Sequence, residues 1–307
     1  MALLEVSQLS VSFMEARSGL RSQVVQVMED IALTVNAGEI VAVVGASGSG
    51  KSLLAHAIMG ILPDHARVTG EIRYNGELLD ERMQARLRGG ELAFIPQSVS
   101  YLDPLMRIGQ QVRGPKETRE QIAKQRASFR RYELDVEVEQ LYPFQLSGGM
   151  ARKVLVSAAT IGGARLLIAD EPTPGMHPLD VQEALEQLKE LAAEGCGIML
   201  ITHDIGAALT VADRVAVIYA GTTVEVALAQ DFAGDGSQLR HPYTQALWRA
   251  LPQNGFEPLP GTQPRLSRGI QGCVFADRCQ HATEACTAGR PEARQLRGGT
   301  ARCIYAT

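Results

Sequence analysis

The sequence predicts an α/β fold centred on a parallel sheet, on three observations. Residues 40–44, 166–169 and 198–201 are short, continuous apolar runs rather than alternating ones, the pattern of strands buried on both faces under helices. Between the second and third runs, Val181, Ala184, Leu185, Leu188 and Leu191 recur at helical spacing up to Gly195, which suits a crossover helix closed by glycine. Each run also ends in residues able to do chemistry: Gly45 after the first, Asp170-Glu171 after the second, Thr202-His203-Asp204 after the third. The carboxyl ends of strands are where open α/β sheets bind ligands.

In chain order, residues 1–35 and 68–80 read as strands of a smaller β layer, with Asn75-Gly76 as a turn. Residues 53–59, behind the first buried strand, read as a helix. Residues 98–160 are richer in Gln, Arg and Glu and lack a buried strand, so they read as a helical insertion. Its last helix, 151–159, follows Ser147, a good N-cap. The Pro- and Gly-rich passage 251–264 reads as a linker, which divides the chain into a main domain, 1–250, and a linker with a C-terminal extension, 251–307. A length of 307 residues allows about two domains at roughly 150 residues each.

Composition narrows the function classes. Hydrophobic residues are 45 % and charged residues 21 %, near the soluble globular average, so a disordered or fibrous chain is excluded. No apolar run approaches the roughly 18 residues of a membrane span, and the opening residues lack the basic-then-apolar pattern of a secretory signal, which favours the cytosol. The net charge of -4 gives no global reason to expect nucleic-acid binding. The charge is uneven, however: residues 261–307 carry seven Arg against Asp277, Glu284 and Glu292, so this end is +4 and the rest is -8. Four of the five cysteines, Cys273, Cys279, Cys286 and Cys303, lie in the same basic tail, marking it as a separate element.

Gly45-x4-Gly50-Lys51-Ser52 is a complete phosphate-binding loop in the strand-to-helix setting it requires. Its glycines let backbone N–H groups face phosphate oxygens, and the helix N-terminus behind adds partial positive charge. Gly45, Ser47, Gly48, Gly50, Lys51 and Ser52 are the candidate nucleotide ligands, with Lys51 on the outer phosphates and Ser52 on Mg²⁺. Asp170 would hold Mg²⁺, directly or through water, and Glu171 would orient or deprotonate the attacking water. Ser147-Gly148-Gly149 exposes further N–H groups, so the chain offers a second anion cradle at Ser147 and Gly149.

With these motifs in this order, the sequence resembles the ATP-binding cassette family of transporter ATPases over about residues 1–250. Residues 45–52 resemble Walker A, 146–150 the family signature and 166–171 Walker B. The resemblance implies a P-loop cassette fold: a parallel-sheet core, a β layer and a helical subdomain at about 98–160. It makes Gln97 the glutamine linking metal and attacking water to the transmembrane partner, and His203 the switch histidine at the terminal phosphate. Phe13 falls to the family's adenine-stacking aromatic, or else to the core. The resemblance further implies that two cassettes dimerise head to tail around ATP, Ser147 and Gly149 of one completing the Lys51, Asp170 and Glu171 site of the other.

One departure stands out. Where the family has a short loop ending in Leu-Asp, this chain reads Pro174-Gly175-Met176-His177-Pro178-Leu179-Asp180, so either His177 or Asp180 takes the aspartate position. Equal behaviour of the two sites of a dimer is thereby in doubt.

The tail spacing Cys273-x5-Cys279-x6-Cys286-x16-Cys303 suits an iron–sulfur cluster or zinc in a reducing compartment, with inert thiols as the alternative. His241-Pro242-Tyr243-Thr244 and the segment 272–279 resemble the C-terminal extension of oligopeptide and dipeptide importer ATPases, a group that includes nickel importer ATPases. That resemblance implies a [4Fe–4S] cluster on the four cysteines. It also implies a second cassette subunit as a heterodimer, two permeases, an extracytoplasmic substrate-binding protein, and a place at the cytoplasmic face of the membrane. The alternative is a soluble cassette ATPase of translation or DNA repair. Such proteins usually carry tandem cassettes or a long coiled-coil insertion, whereas only about 95 residues separate Lys51 from Ser147 here.

Overall fold

The chain begins with two long antiparallel strands, β1 (Ala2–Ala16) and β2 (Ser22–Asn36), followed by β3 (Ile40–Val44) and helix α1 (Lys51–Met59). The computed structural model describes residues 2–16, 22–114, 117–266 and 270–307. Next come β4 (Ala66–Tyr74) and β5 (Glu77–Leu78), joined through Asn75 and Gly76 at φ 51° and 82°, and then helix α2 (Glu81–Leu87). Positive φ at both central residues is the hairpin geometry that Asn-Gly favours. These four strands form the expected β layer in the order β2-β1-β4-β5.

The main sheet adds β6 (Leu92–Ile95), β7 (Leu166–Asp170), β8 (Gly197–Ile201), β9 (Arg214–Tyr219) and β10 (Thr222–Leu228) to β3. The strands β9-β3-β8-β7-β6 are parallel, and β10 pairs antiparallel with β9. Alternation along β3 explains its continuous apolar run. Ile40, Ala42 and Val44 pack with Leu185, Leu188 and Leu191 of α6 (Pro178–Ala193), whereas Val41 and Val43 pack with Leu54 and Ile58 of α1 and with the β layer. Both faces are covered, so every position must be apolar.

Residues 98–160 hold α3 (Ile108–Arg113), α4 (Arg119–Arg131) and α5 (Gly148–Thr160), with short 3₁₀ turns and no strand among the described residues. Ile108, Val112, Phe129, Val154 and Leu155 give this lobe a core of its own.

The C-terminal extension continues the sheet instead of lying apart from it. Beyond α7 (Ile205–Leu209), α8 (Pro242–Arg249) and α9 (Glu284–Ala288), the short strands β11 (Arg294–Leu296) and β12 (Gly299–Ala301) form a hairpin, and β12 pairs antiparallel with the free edge of β10. Arg240 locks the hairpin down from a fully buried position. Its guanidinium donates to Glu225 (3.2 Å) and Asp231 (2.9 Å), and also to the Leu296 and Arg297 carbonyls (2.8 and 2.6 Å). The passage read as a linker is held as well: Arg278 donates to the carbonyls of Leu259, Pro260 and Gly261 and, at 3.0 Å, to the Tyr219 hydroxyl.

Candidate nucleotide site

The strand-to-helix turn after β3 builds the site. Gly45 has φ 154°, and a Cβ there would lie 2.1 Å from the Ile218 carbonyl oxygen, so backbone contact excludes any side chain. Lys51, 8 % exposed, donates through Nζ to the carbonyls of Gly45 (2.9 Å) and Ala46 (3.2 Å). Burial holds its ammonium below the usual range, against the opposing pull of the Glu171 and Asp170 carboxylates. Ser49, inside the loop but not among the expected ligands, is buried with its Oγ unpartnered. Only its place within the loop could have marked it.

Asp170 ends β7, 3 % exposed; burial pushes its carboxyl above the usual range, and a hydrogen bond from the Ser52 hydroxyl opposes that. Its Oδ1 is buried with no hydrogen-bond partner. An orphaned carboxylate oxygen beside a hydroxyl, at the edge of a phosphate loop, fits Mg²⁺, which uses one or two protein oxygens and fills its shell with phosphate and water. Glu171 stands at φ 47° with its N–H on the Ile201 carbonyl (2.9 Å), and its Oε2 lies 2.7 Å from Nδ1 of His203. Since non-glycine residues rarely occupy that region, the turn that aims this carboxylate is strained.

Phe13, Ser47, Gly48, Gly50, Lys51, Ser52, Gln97, Glu171 and His203 line one cleft of about 630 Å³. Gln97 follows β6 and His203 follows β8; both are exposed, and the Gln97 amide and the His203 Nε2 are open to a ligand, while His203 Nδ1 is engaged by Glu171. The Phe13 ring borders the cleft, faces His65 at 5.4 Å between centroids and packs on the core behind.

Ser147 and Gly149 are not in this cleft. They border a separate hollow of about 440 Å³ between the helical lobe and α6. Ser147 caps α5 by accepting the Met150 N–H at 3.2 Å. A Cβ on Gly148 or Gly149 would meet nothing within 4 Å, so packing inside the chain does not require glycine at either position. Arg152 of α5, which the sequence reading missed, donates to the Pro172 and Pro174 carbonyls, both at 2.8 Å, tying this helix to the loop after Glu171. In that loop, His177 is the N-cap of α6 and Asp180 lies in the helix's first turn.

The four tail thiols read from the sequence as a ligand set lie near one another. Cys273, Cys279, Cys286 and Cys303 are free, and the Cys273 N–H donates to the Cys286 carbonyl at 2.7 Å. Burial pushes the Cys273 and Cys279 thiols up, and their neighbouring thiols add to this. Among the described residues, no group of three or more His, Cys, Asp or Glu is placed to hold a metal ion. No feature of the arrangement supports a cluster, and no step below runs through one. Cys196 is a buried core thiol, pushed up to about 11 by burial.

A phosphate loop, a buried carboxylate with an unpaired oxygen and a second carboxylate aimed into the same cleft define a P-loop nucleotide-binding protein. Comparison with known proteins sharpens this. Residues 28–174 match the ABC transporter family, and residues 224–286 match the C-terminal region of oligopeptide/dipeptide transporters. The dipeptide transport ATP-binding protein DppD of Escherichia coli is 36 % identical over 329 residues, covering 99 % of this chain and 97 % of that protein. The oligopeptide transport ATP-binding protein OppD of Salmonella typhimurium is 36 % identical, covering 94 % and 89 %. Among solved structures, the dimeric, ADP- and phosphate-bound cassette MJ0796 shares the fold with TM-score 0.64 at 22 % identity, over 74 % of this chain and 98 % of that one. An ATP-binding subunit of an ABC transporter, 28 % identical, gives 0.59 over 75 % and 91 %. The chain belongs to the ABC transporter ATP-binding family, in the branch that carries the oligopeptide/dipeptide transporter C-terminal region. Among the described residues, no helix is long and apolar enough to cross a membrane.

Proposed function

We propose that this chain hydrolyses ATP to power an importer of dipeptides or oligopeptides, bound to the cytoplasmic face of the membrane through its permeases. The observation that carries this reading is end-to-end similarity, over 99 % of the chain, to a protein named for dipeptide transport, together with a cleft lined by the phosphate loop, Gln97, Glu171 and His203. On arrival of the nucleotide, Lys51 would exchange the Gly45 and Ala46 carbonyls for the outer phosphates. Ser52 and Asp170 would hold Mg²⁺, and Gln97 would reach the same metal and water from β6. When bound, Mg²⁺ neutralises charge on the phosphate oxygens. Glu171 then accepts a proton from water attacking the terminal phosphoryl group, ADP departs, and His203 moves from Glu171 to that phosphate.

Ser147 and Gly149 would act on the nucleotide of a second cassette subunit, most simply in a heterodimer, with two permeases and an extracytoplasmic binding protein completing the importer. Nothing observed favours a translation or DNA-repair role. The nickel and cluster readings rest on the resemblance alone. Purification with the permeases, followed by ATPase assay with the binding protein loaded with peptide or with nickel complex, tests the cargo. Stimulation by peptide is expected; stimulation by nickel alone would overturn the peptide reading.

A further inference from the structure

The His241-Pro242-Tyr243 motif and the cysteine loop have no part in the chemistry above, yet both lie directly behind the phosphate loop. His241 caps α8 through its Nδ1, which accepts the Tyr243 N–H at 3.0 Å, and so fixes where Tyr243 points. Tyr243 is 3 % exposed. Ala46 and Gly45 are the two residues whose carbonyls hold Lys51. The Tyr243 ring lies 4.3 Å from that of Tyr219 and 5.4 Å from that of Phe275, between centroids. Phe275 sits between Cys273 and Cys279, and Arg278 of the same loop donates to the Tyr219 hydroxyl at 3.0 Å. Tyr219 directly follows Ile218, the residue whose carbonyl presses on Gly45.

We propose that Tyr243 is a positioning residue for the phosphate loop, and that through Phe275 and Arg278 it makes nucleotide affinity depend on the conformation of the Cys273–Cys279 loop. The contact chain is short and aromatic, and packed interiors transmit displacement because they have no room to absorb it. Its far end is the tail, which is anchored elsewhere by Arg290 on Glu29 and Arg302 on Asp30, both at 2.8 Å. These acids lie two and three residues beyond Val27, which lines the nucleotide cleft. The extension therefore meets the site both behind the loop and at its rim. Because coupling is reciprocal, nucleotide binding must act on the cysteine loop as strongly as that loop acts on the nucleotide.

The inference rests on the nucleotide reading of the cleft. Tyr243→Leu removes the ring packed on Tyr219 and Phe275. It should weaken Mg-ATP binding by about three- to tenfold, raising KM while kcat stays within about twofold. Tyr305→Phe removes a hydroxyl paired with Thr283 at 2.7 Å in the same extension, and should leave both constants unchanged. Equal binding by wild type and Tyr243→Leu, or equal weakening by Tyr305→Phe, would overturn the proposal and leave the nucleotide reading intact. A wild type that does not bind Mg-ATP would overturn both. Amide hydrogen exchange on the unmodified chain gives a check independent of folding of the variant: residues 273–279 should exchange more slowly with Mg-ATP, and an unchanged rate would refute the coupling.

Discussion

Lys51 and Glu171 divide the work of the site, and each is held in a conformation that costs the fold something. Lys51 carries a buried ammonium whose charge is opposed by desolvation and supported by Glu171 and Asp170. Its hydrogen bonds run to the Gly45 and Ala46 carbonyls, which phosphate oxygens can replace without leaving the charge unpaired. Lys51→Ala should therefore weaken ATP binding by roughly ten- to a hundredfold, the worth of one charged hydrogen bond, as read by titration with a fluorescent nucleotide. Glu171 is kept in a left-handed turn and against His203, an arrangement that aims a carboxylate into a cleft and has no evident packing purpose. The residues of this site were largely readable beforehand because the loop, Walker B and His203 each follow a strand. Arg152 was not readable, because an arginine on a helix carries no sign of which carbonyls it will find.

Helix α8 brings a pH dependence with it. His241 is wholly buried, and burial lowers its imidazole from 6.5 to about 3, so it stays neutral and its Nδ1 remains an acceptor for the helix cap. The unfolded chain takes up this proton near pH 6.5 and the folded chain only near pH 3. Between those values the unfolded state binds more protons, so stability rises with pH and is lost as pH falls below about 6.5. One pH unit below that point should cost about 1.4 kcal/mol. Urea denaturation at pH 7.5 and 5.5 should show this loss in wild type, and less of it in His241→Asn, which keeps a cap acceptor without the titration. The central strands were visible in the sequence because burial on both faces makes them uniformly apolar. By contrast, β11 and β12 were invisible: three-residue strands reading Arg-Gln-Leu and Gly-Thr-Ala carry no period, and their place on the sheet is set by the remote Arg240. Charge and cysteine content marked the tail as separate, although its backbone pairing joins it to the sheet.

The molecule as a whole holds two half-sites that cannot meet. The cleft with Lys51 and Glu171 and the hollow with Ser147 and Gly149 are distinct, and the signature glycines face open space. A second cassette closing on the first would bring an outer phosphate against those bare N–H groups, so the isolated chain should hydrolyse ATP poorly. The extension is docked by the pairing of β12 with β10, by Phe275 in the core, and by Arg240, Arg278, Arg290 and Arg302. The decisive comparison is ATP turnover by the assembled transporter carrying wild type or Glu171→Gln. If Glu171 activates water in this cleft, the variant binds ATP, stays closed on its partner and releases phosphate on the order of a hundred- to a thousandfold more slowly. Phosphate release at the wild-type rate by Glu171→Gln would contradict the account.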